Sequence, residues 1–583
     1  IIDNKPIVLY YKIKGGSMKN LRSLLKYLKP YKKWFFLAPL FLIFELIMDI
    51  FLPAIFGNVI NVGVADKDIN YIIFSIIIMF ILTVLGLVGG IFSVYYSAKA
   101  SEYAANDIRK ELFDKIISLS LIDRKKYETG HFITVLTNDI NLIANIIMIS
   151  IRIFFRVPII VIGSVIMSVI LSPKLSLVLI AIIPILAFIT FVLIKLVFPK
   201  FLIIQESLDE VNFKVREDIN GIQTLKSLVI EESEKQKFNI VNFKLKNVSI
   251  NANRFLNLQL PLTTFLVNVC VIIILYFGGQ SLIENTNMGI TIGTILAFIQ
   301  YLTNILYALI QASAVIVLIS KSEASAIRVK EILNNQKEAK NKNNVSNINS
   351  LKFKNVSFGF GEKNILENIN FEVKKGEVIG ITGLTGSGKS TLSKLISNVI
   401  KPNSGEILVN DIANVNIDKH ISVAYQDPIL FSGSIRKNIK YSSPNVSDAK
   451  MRQYAKLCEI DDFILKQMGA YDFKISAKGL NLSGGQRQRI SLARAVLADT
   501  DVLILDDALS SVDNETEKKI LTNFNDKLKN KIIIIISSKA STLMNCDKVM
   551  LLDNGKIIDF ENPKILLNKN KIFKDMIGGD NHD

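Results

Sequence analysis

Cysteine is scarce in this chain: Cys270, Cys458 and Cys546 are the only three in 583 residues, and they lie far apart. They cannot form a disulfide framework or a metal spacing, which excludes a small stapled secreted domain and makes a reducing cytosol the default compartment. Glycine (30) and proline (13) are too few for a collagenous chain. Charged residues make up 21% of the chain against 50% apolar, so intrinsic disorder is excluded as well. What charge there is leans one way. With 69 Lys and Arg against 52 Asp and Glu, the formal net charge is +17. A basic excess on so apolar a chain points to nucleic acid or to a membrane surface, and its position along the chain has to decide between them.

The apolar residues are concentrated in the first 320 positions. They form six blocks, approximately Trp34–Ile60, Tyr71–Tyr95, Ile153–Leu171, Leu175–Phe198, Leu262–Leu282 and Thr291–Ser320, each close to the roughly 20 residues of helix that cross a bilayer. Several are apolar all round, unlike the one-faced helices of a soluble protein. The segments between them alternate long and short, and the cations follow that alternation. Nine Lys/Arg precede Trp34, seven lie in the loop Ser97–Ile151 and nine in the loop Pro199–Pro261, whereas the three short loops carry only Lys67 and Lys174. By the positive-inside rule, both termini and the two long loops are cytoplasmic. The expected location is a bacterial plasma membrane, with the lipid bilayer as partner, and no motif connects the basic excess to nucleic acid. Leu21–Trp34 reads either as a basic amphipathic helix on the inner surface or as the cytosolic end of the first crossing.

The organisation expected is therefore 18–33 interfacial helix, 34–320 six-helix membrane domain, 321–350 linker and 351–583 soluble α/β domain. Residues 1–17 are expected to be translated leader or appended sequence, because Lys14–Ser17 can be encoded by a ribosome-binding string just ahead of Met18. Within the crossings, Glu45 and Asp49 lie one turn apart on one face. Buried carboxylates in a membrane need a cavity or a partner, which leaves cation attraction and structural pairing both open. Arg152 and Arg156 read as interfacial anchors, and Pro158, Pro184 and Pro261 as packing or kink positions.

After the polar run Asn334–Ser350, short apolar runs alternate with helical patterns. VIGIT leads into GLTGSGKST, Gly383 to Thr391, which is the phosphate-loop pattern in its strand-to-helix setting. Gly383, Leu384, Thr385, Gly386, Ser387 and Gly388 would wrap phosphate oxygens with backbone amides, together with those of Ser390 and Thr391. Lys389 would reach the β and γ phosphates, and the Ser390 hydroxyl would ligate magnesium. Farther on, the strand DVLILD ends in Asp506, a carboxylate for the same magnesium.

Between them stands LSGGQRQR, Leu482–Arg489, which resembles the signature of ABC transporter ATPases. Six crossings with two long cytoplasmic loops before one nucleotide-binding domain resemble the multidrug-type exporter branch, in the form of a half-transporter. TGHFITVLTND (Thr129–Asp139) and INGIQTLKSLVIEE (Ile219–Glu232) look like that branch's cytoplasmic loops, which carry short helices that dock on the ATPase domains. The resemblance implies ATP and Mg2+ as ligands, a second half-transporter as partner, and ATP-driven export of a hydrophobic or amphipathic substrate. It further implies that Phe360 stacks on adenine, that Gln426 senses magnesium and the γ-phosphate, that Ser483 and Gly485 face the partner's nucleotide, and that Asp513 communicates between paired sites.

Three positions depart from the family pattern. Asp507 replaces the usual Glu that orients the attacking water, and its carboxylate is one methylene shorter. Ser538 stands where the family has a His that contacts the γ-phosphate. Ala477 stands where a Glu often touches the partner. An intact phosphate loop beside altered chemistry positions resembles the degenerate-site subunit of a heterodimeric exporter, with hydrolysis mainly at the partner's site. The other readings are an active variant with a slower base, or a regulatory, channel-like protein gated by ATP without turnover.

Overall fold

The computed structural model describes residues 19–124, 126–283, 290–335, 343–360 and 363–578. The leader expected at 1–17 and the start at Met18 lie outside the described residues, as does part of the 321–350 run. The chain divides into two compact units, one formed by the residues before 119 with 127–336, the other by 119–126 with the residues from 337 onward.

The first unit is helical throughout its described residues. Among the described residues, six helical stretches are long and apolar enough to cross a membrane, and each overlaps one of the six apolar blocks. Phe74, Phe80, Phe154, Ile170 and Phe188 stand on the outside of the unit, a surface that hydrocarbon satisfies and water does not. Helices Ile69–Ile117 and Pro173–Asn220 have 49 and 48 residues, more than twice what a bilayer needs. Their ends therefore extend past the membrane and carry the polar loops. Helices run through Pro158 and Pro184, while Pro261 occupies the first turn of helix Gln259–Ile283, where a missing N–H costs nothing.

The amphipathic N-terminal segment forms helix Lys19–Leu24 and a 3-10 stretch Leu25–Tyr31. Its apolar side chains Leu21, Leu24 and Leu28 are buried against protein, while Arg22, Lys26 and Lys29 are exposed. Glu323 accepts from the backbone N–H groups of Asn20 and Leu21 at 3.1 and 2.9 Å, satisfying amides that have no partner at a helix start.

The expectation that Arg152 and Arg156 are interfacial anchors is corrected by the structure. Arg156 donates to Glu45 at 2.5 Å and to Asp49 at 3.1 Å, and Arg152 donates to Glu45 at 3.4 Å. Two carboxylates and two guanidiniums thus neutralise each other within the bundle, because an unpaired charge there is far costlier than a paired one. Asn304 and Tyr301 complete the neighbourhood by donating to the carbonyls of Asp49 and Ile50. Structural pairing, one of the two readings of Glu45 and Asp49, is what this conformation contains.

A second ion pair lies at the base of the third and sixth crossings. Asp139, fully buried, accepts from Arg328 at 2.8 and 2.5 Å and from the buried Ser325 at 2.8 Å. Removing the cation alone leaves a buried charge without compensation. Arg328→Met is expected to destabilise the full-length protein by about 3 kcal/mol, with most of that loss recovered in the double variant Asp139→Asn/Arg328→Met. Thermal denaturation in detergent checks both outcomes.

The second unit is an α/β domain with two main sheets. The strands of these two sheets are β1 (Ser350–Phe360), β2 (Lys363–Lys374), β3 (Val378–Gly383), β4 (Ser404–Val409), β5 (Ile412–Ala413), β6 (Ile421–Ala424), β7 (Val502–Asp506), β8 (Ile532–Ile536), β9 (Lys548–Asp553) and β10 (Lys556–Glu561). The antiparallel sheet has the order β2-β1-β4-β5, and the six-stranded sheet has the order β10-β9-β3-β8-β7-β6. In the latter β6, β7, β8 and β3 are mutually parallel. The run Ile532–Ile536 is buried at every residue, as a central parallel strand covered on both faces requires. Leu121, in the short helix Leu121–Arg124, packs against the core of this same unit.

Candidate functional site

β3 ends at Gly383, and helix Lys389–Ile396 begins six residues later. Between them, Gly383, Gly386 and Gly388 have φ of +151°, +86° and +103°, a left-handed excursion that turns successive amides toward one point. Leu384, Thr385, Gly386 and Ser390 are exposed, Ser387 is buried, and Gly388 and Thr391 are half-buried. Lys389 bridges the loop, its Nζ donating to the carbonyls of Gly383 and Leu384 at 2.7 and 3.0 Å. Burial pushes its pKa down, opposed by the carboxylates of Asp507 and Asp506.

Those carboxylates stand at the end of β7. Burial pushes Asp506 up, against the pull of Lys394 and Lys389. Asp507 is pushed up by burial and then by Asp506, against Lys389 and Lys539. Asp507 is left-handed, with φ +50°, and its N–H donates to the Ile536 carbonyl at 3.0 Å. This bond joins the ends of β7 and β8, so Asp507 and the exposed Ser538 leave adjacent strands. Gln426, also exposed, follows β6 on the other side of β7. The donors available to a metal are the Ser390 hydroxyl, the Asp506 carboxylate and the Gln426 amide oxygen. All are hard oxygen donors, and a carboxylate held up by burial is a group that a divalent cation relieves, so these residues suit magnesium.

The structure thus brings the phosphate loop, Asp506, Asp507, Gln426 and Ser538 to one sheet edge. Phe360 ends β1 in the other sheet, partly exposed and edge-on to Phe358 at 5.1 Å. The signature residues are held by a different core. Helix Gly484–Leu497 contributes Ile490 and Leu492 to one hydrophobic cluster, whereas Leu392 and Leu395 of the phosphate-loop helix belong to another. Ser483 caps the signature helix in a reciprocal arrangement with Gln486, which leaves an exposed helix N-terminus suited to an anion. Asp513 caps helix Asn514–Lys527, and the Thr516 N–H holds its carboxyl below the usual range. Ala477 is exposed.

Two residues in this region were passed over in the sequence. Lys539 donates to the carbonyls of Leu509 and Val512 at 3.2 and 3.3 Å and to the buried Glu517 at 2.7 Å, and Thr542 also donates to Glu517. Gln488 is buried, although it lies in the polar string LSGGQRQR. Its side-chain amide donates to the Gln426 carbonyl and to Ser510 Oγ and accepts from the Ser511 N–H. The available signal was position: each polar residue sits beside a recognised motif, on a face that the surrounding helix and strand pattern buries.

The fold and this edge define an integral membrane protein with a phosphate-loop ATPase domain. Residues 35–309 match the family model for the ABC transporter transmembrane region, and residues 366–510 match that for the ABC transporter domain. The chain is 31% identical over 563 residues to the uncharacterized ABC transporter ATP-binding protein YfiB of Bacillus subtilis, covering 95% of this chain and 97% of that one. It is 29% identical to the multidrug resistance-like ATP-binding protein MdlA of Buchnera aphidicola, covering 92% and 96%. Its fold matches that of a bacterial Atm1-family ABC exporter solved with ATP bound, with a TM-score of 0.81 at 20% identity over 94% of this chain and 98% of that one. The chain belongs to the ABC transporter family. The activity implied by its ATPase domain is ATP hydrolysis coupled to transport.

A methyl group at Gly388 tests the phosphate loop. Its Cβ would lie 2.6 Å from Leu366 on a backbone with φ +103°. Gly388→Ala is expected to cost about 1–2 kcal/mol, or about 2–8 °C in the melting temperature of the ATPase domain, and to weaken nucleotide binding at least tenfold. Calorimetry and fluorescent-nucleotide titration measure the two effects.

Proposed function

We propose that the chain is one half of a dimeric exporter whose own nucleotide site binds Mg-ATP and hydrolyses it slowly, with most turnover at the site completed by a different half-transporter. The observation that carries this reading is the pairing of two altered residues at neighbouring strand ends, Asp507 after β7 and Ser538 after β8, beside a phosphate loop that keeps every binding residue. Asp507 is short for the task of orienting a water, and Ser538 lacks an imidazole donor. Gly383 through Thr391 hold the phosphates, while Ser390, Asp506 and Gln426 hold magnesium, which neutralises phosphate charge when bound. Phe360 stacks on the base. Ser483 and Gly485 offer the helix N-terminus to the partner's nucleotide, and Asp513 links the two sites.

Both termini, the long loops and the ATPase domain lie on the cytoplasmic side of a bacterial plasma membrane, the side to which the cations are biased. Helix Ile222–Leu228 supports a dimer: Ile222 and Leu228, with the flanking Val229, are exposed, a short apolar tip suited to a partner's ATPase domain. The transported substrate is apolar or amphipathic, in keeping with a bundle whose four half-buried charges, Glu45, Asp49, Arg152 and Arg156, pair with one another. ATP binding and release shift the membrane half between inward-open and outward-open states by their different affinities for each.

The test is to purify the chain alone and with its partner. Alone, it is expected to bind nucleotide with little turnover, and Asp507→Glu/Ser538→His is expected to raise the rate at least tenfold. Vigorous hydrolysis by the chain alone, unchanged in Asp507→Asn, overturns the reading. Reconstituted vesicles separate pump from gate, since a pump accumulates substrate against its gradient and a gate only equilibrates it.

A further inference from the structure

Gln488 has no part in the site as described, yet its side-chain amide meets three loop atoms. It is 3% exposed and sits in the second turn of the signature helix. Its Nε2 donates to the backbone carbonyl of Gln426 at 3.2 Å and to Ser510 Oγ at 3.0 Å. Its Oε1 accepts from the Ser511 N–H at 2.9 Å. The orientation of the amide is fixed by its partners, because a carbonyl can only accept and a backbone N–H can only donate. Ser511 is held from a second side as well. A Cβ at Gly485 would lie 2.8 Å from the Ser511 carbonyl oxygen, so the absence of a side chain there lets the loop lie directly on the start of the signature helix. Two residues beyond Ser511, Asp513 begins the next helix as its cap.

We propose that Gln488 is a positioning residue that makes the Gln426 loop, the signature helix and the Ser510–Asp513 loop move as one body. Nucleotide engaged at this chain's own phosphate loop then changes what the chain presents at Ser483 and Asp513. The inference uses the chain's membership of the ATPase family and is independent of how fast Asp507 works. A buried amide with both donors and its acceptor engaged is costly to break, so displacement of Gln426 is carried to Ser511 and is not absorbed in between.

The test uses the full-length chain in lipid nanodiscs with magnesium and a non-hydrolysable ATP analogue, read by amide hydrogen exchange, which needs no turnover. In the wild type, nucleotide is expected to change exchange at 424–428 and at 509–513 together. Gln488→Leu is expected to speed basal exchange at Ser511 at least tenfold and to abolish the nucleotide response at 509–513, while the response at 424–428 and the nucleotide affinity stay within threefold. Gln488→Glu keeps the acceptor for the Ser511 N–H but loses both donors. It is expected to retain basal protection of Ser511 and still lose the nucleotide response there. A response at 509–513 that survives in both variants overturns the proposal. So does a loss of nucleotide affinity greater than threefold in Gln488→Glu, since that marks a general structural role.

Discussion

In a parallel sheet every strand ends on the same edge, and the nucleotide site depends on that geometrical fact. β3, β6, β7 and β8 run in one direction, so Gly383, Ala424, Asp506 and Ile536 end side by side, and the segments that follow them bring Lys389, Gln426, Asp507 and Ser538 to the same edge. The two central strands behind that edge are apolar: Val502–Leu505 of β7 and Ile532–Ile536 of β8 are buried throughout. Charged groups are confined to the rim, where water or a ligand can meet them, and behind it the four parallel strands bury only small hydroxyls such as that of Thr382. The rim's charges temper one another in turn. Asp506 and Asp507 repel and are raised by burial, while Lys389 and Lys539 approach them as cations.

The membrane half obeys the same rule in a harsher solvent. Two of its charged clusters are compensated at short range, Glu45 and Asp49 by two arginines and Asp139 by Arg328 and Ser325. This compensation bears on transport. An open pair of carboxylates would favour cations, whereas a pair already held by Arg156 presents little net field, which fits the apolar or amphipathic substrate proposed above. The Glu323 carboxylate on the first amides of the N-terminal helix is the same principle applied to backbone groups.

What could be read from the sequence alone follows from this physics. Six crossings were legible because hydrocarbon imposes length and composition on consecutive residues. The phosphate loop was legible because its glycines, acting through backbone, and its lysine, acting through its side chain, fall within nine consecutive positions. The partners of Arg152 and Arg156 were not, because Glu45 lies 107 and 111 positions away and only the rotation of each helix decides whether an arginine faces lipid headgroups or the bundle. Gln488 was hidden for a related reason. A glutamine in a polar string looks solvated, and its burial depends on how two distant loops return to the signature helix. The N-terminal segment had the right amphipathic pattern, but a pattern cannot say whether protein or lipid covers the apolar face.

The left-handed backbone at Asp507 adds a constraint on the proposed slow site. Residues with φ near +50° are strained unless they are Gly, Asn or Asp, whose short side chains tolerate that region. A glutamate there would need the bond from the Asp507 N–H to Ile536 and the surrounding loop to hold it against its own preference. Aspartate relieves that strain and withdraws the carboxylate in the same step. Ser538 acts in the same direction from the adjacent strand, removing reach without adding bulk. Lys539, one residue farther, remains anchored by the loop carbonyls and by Glu517, and keeps its cation beside Asp507. On the proposed reading, the edge keeps the fields that bind a polyanion and lacks the two longer side chains that would act on it, a combination that favours holding nucleotide over turning it over.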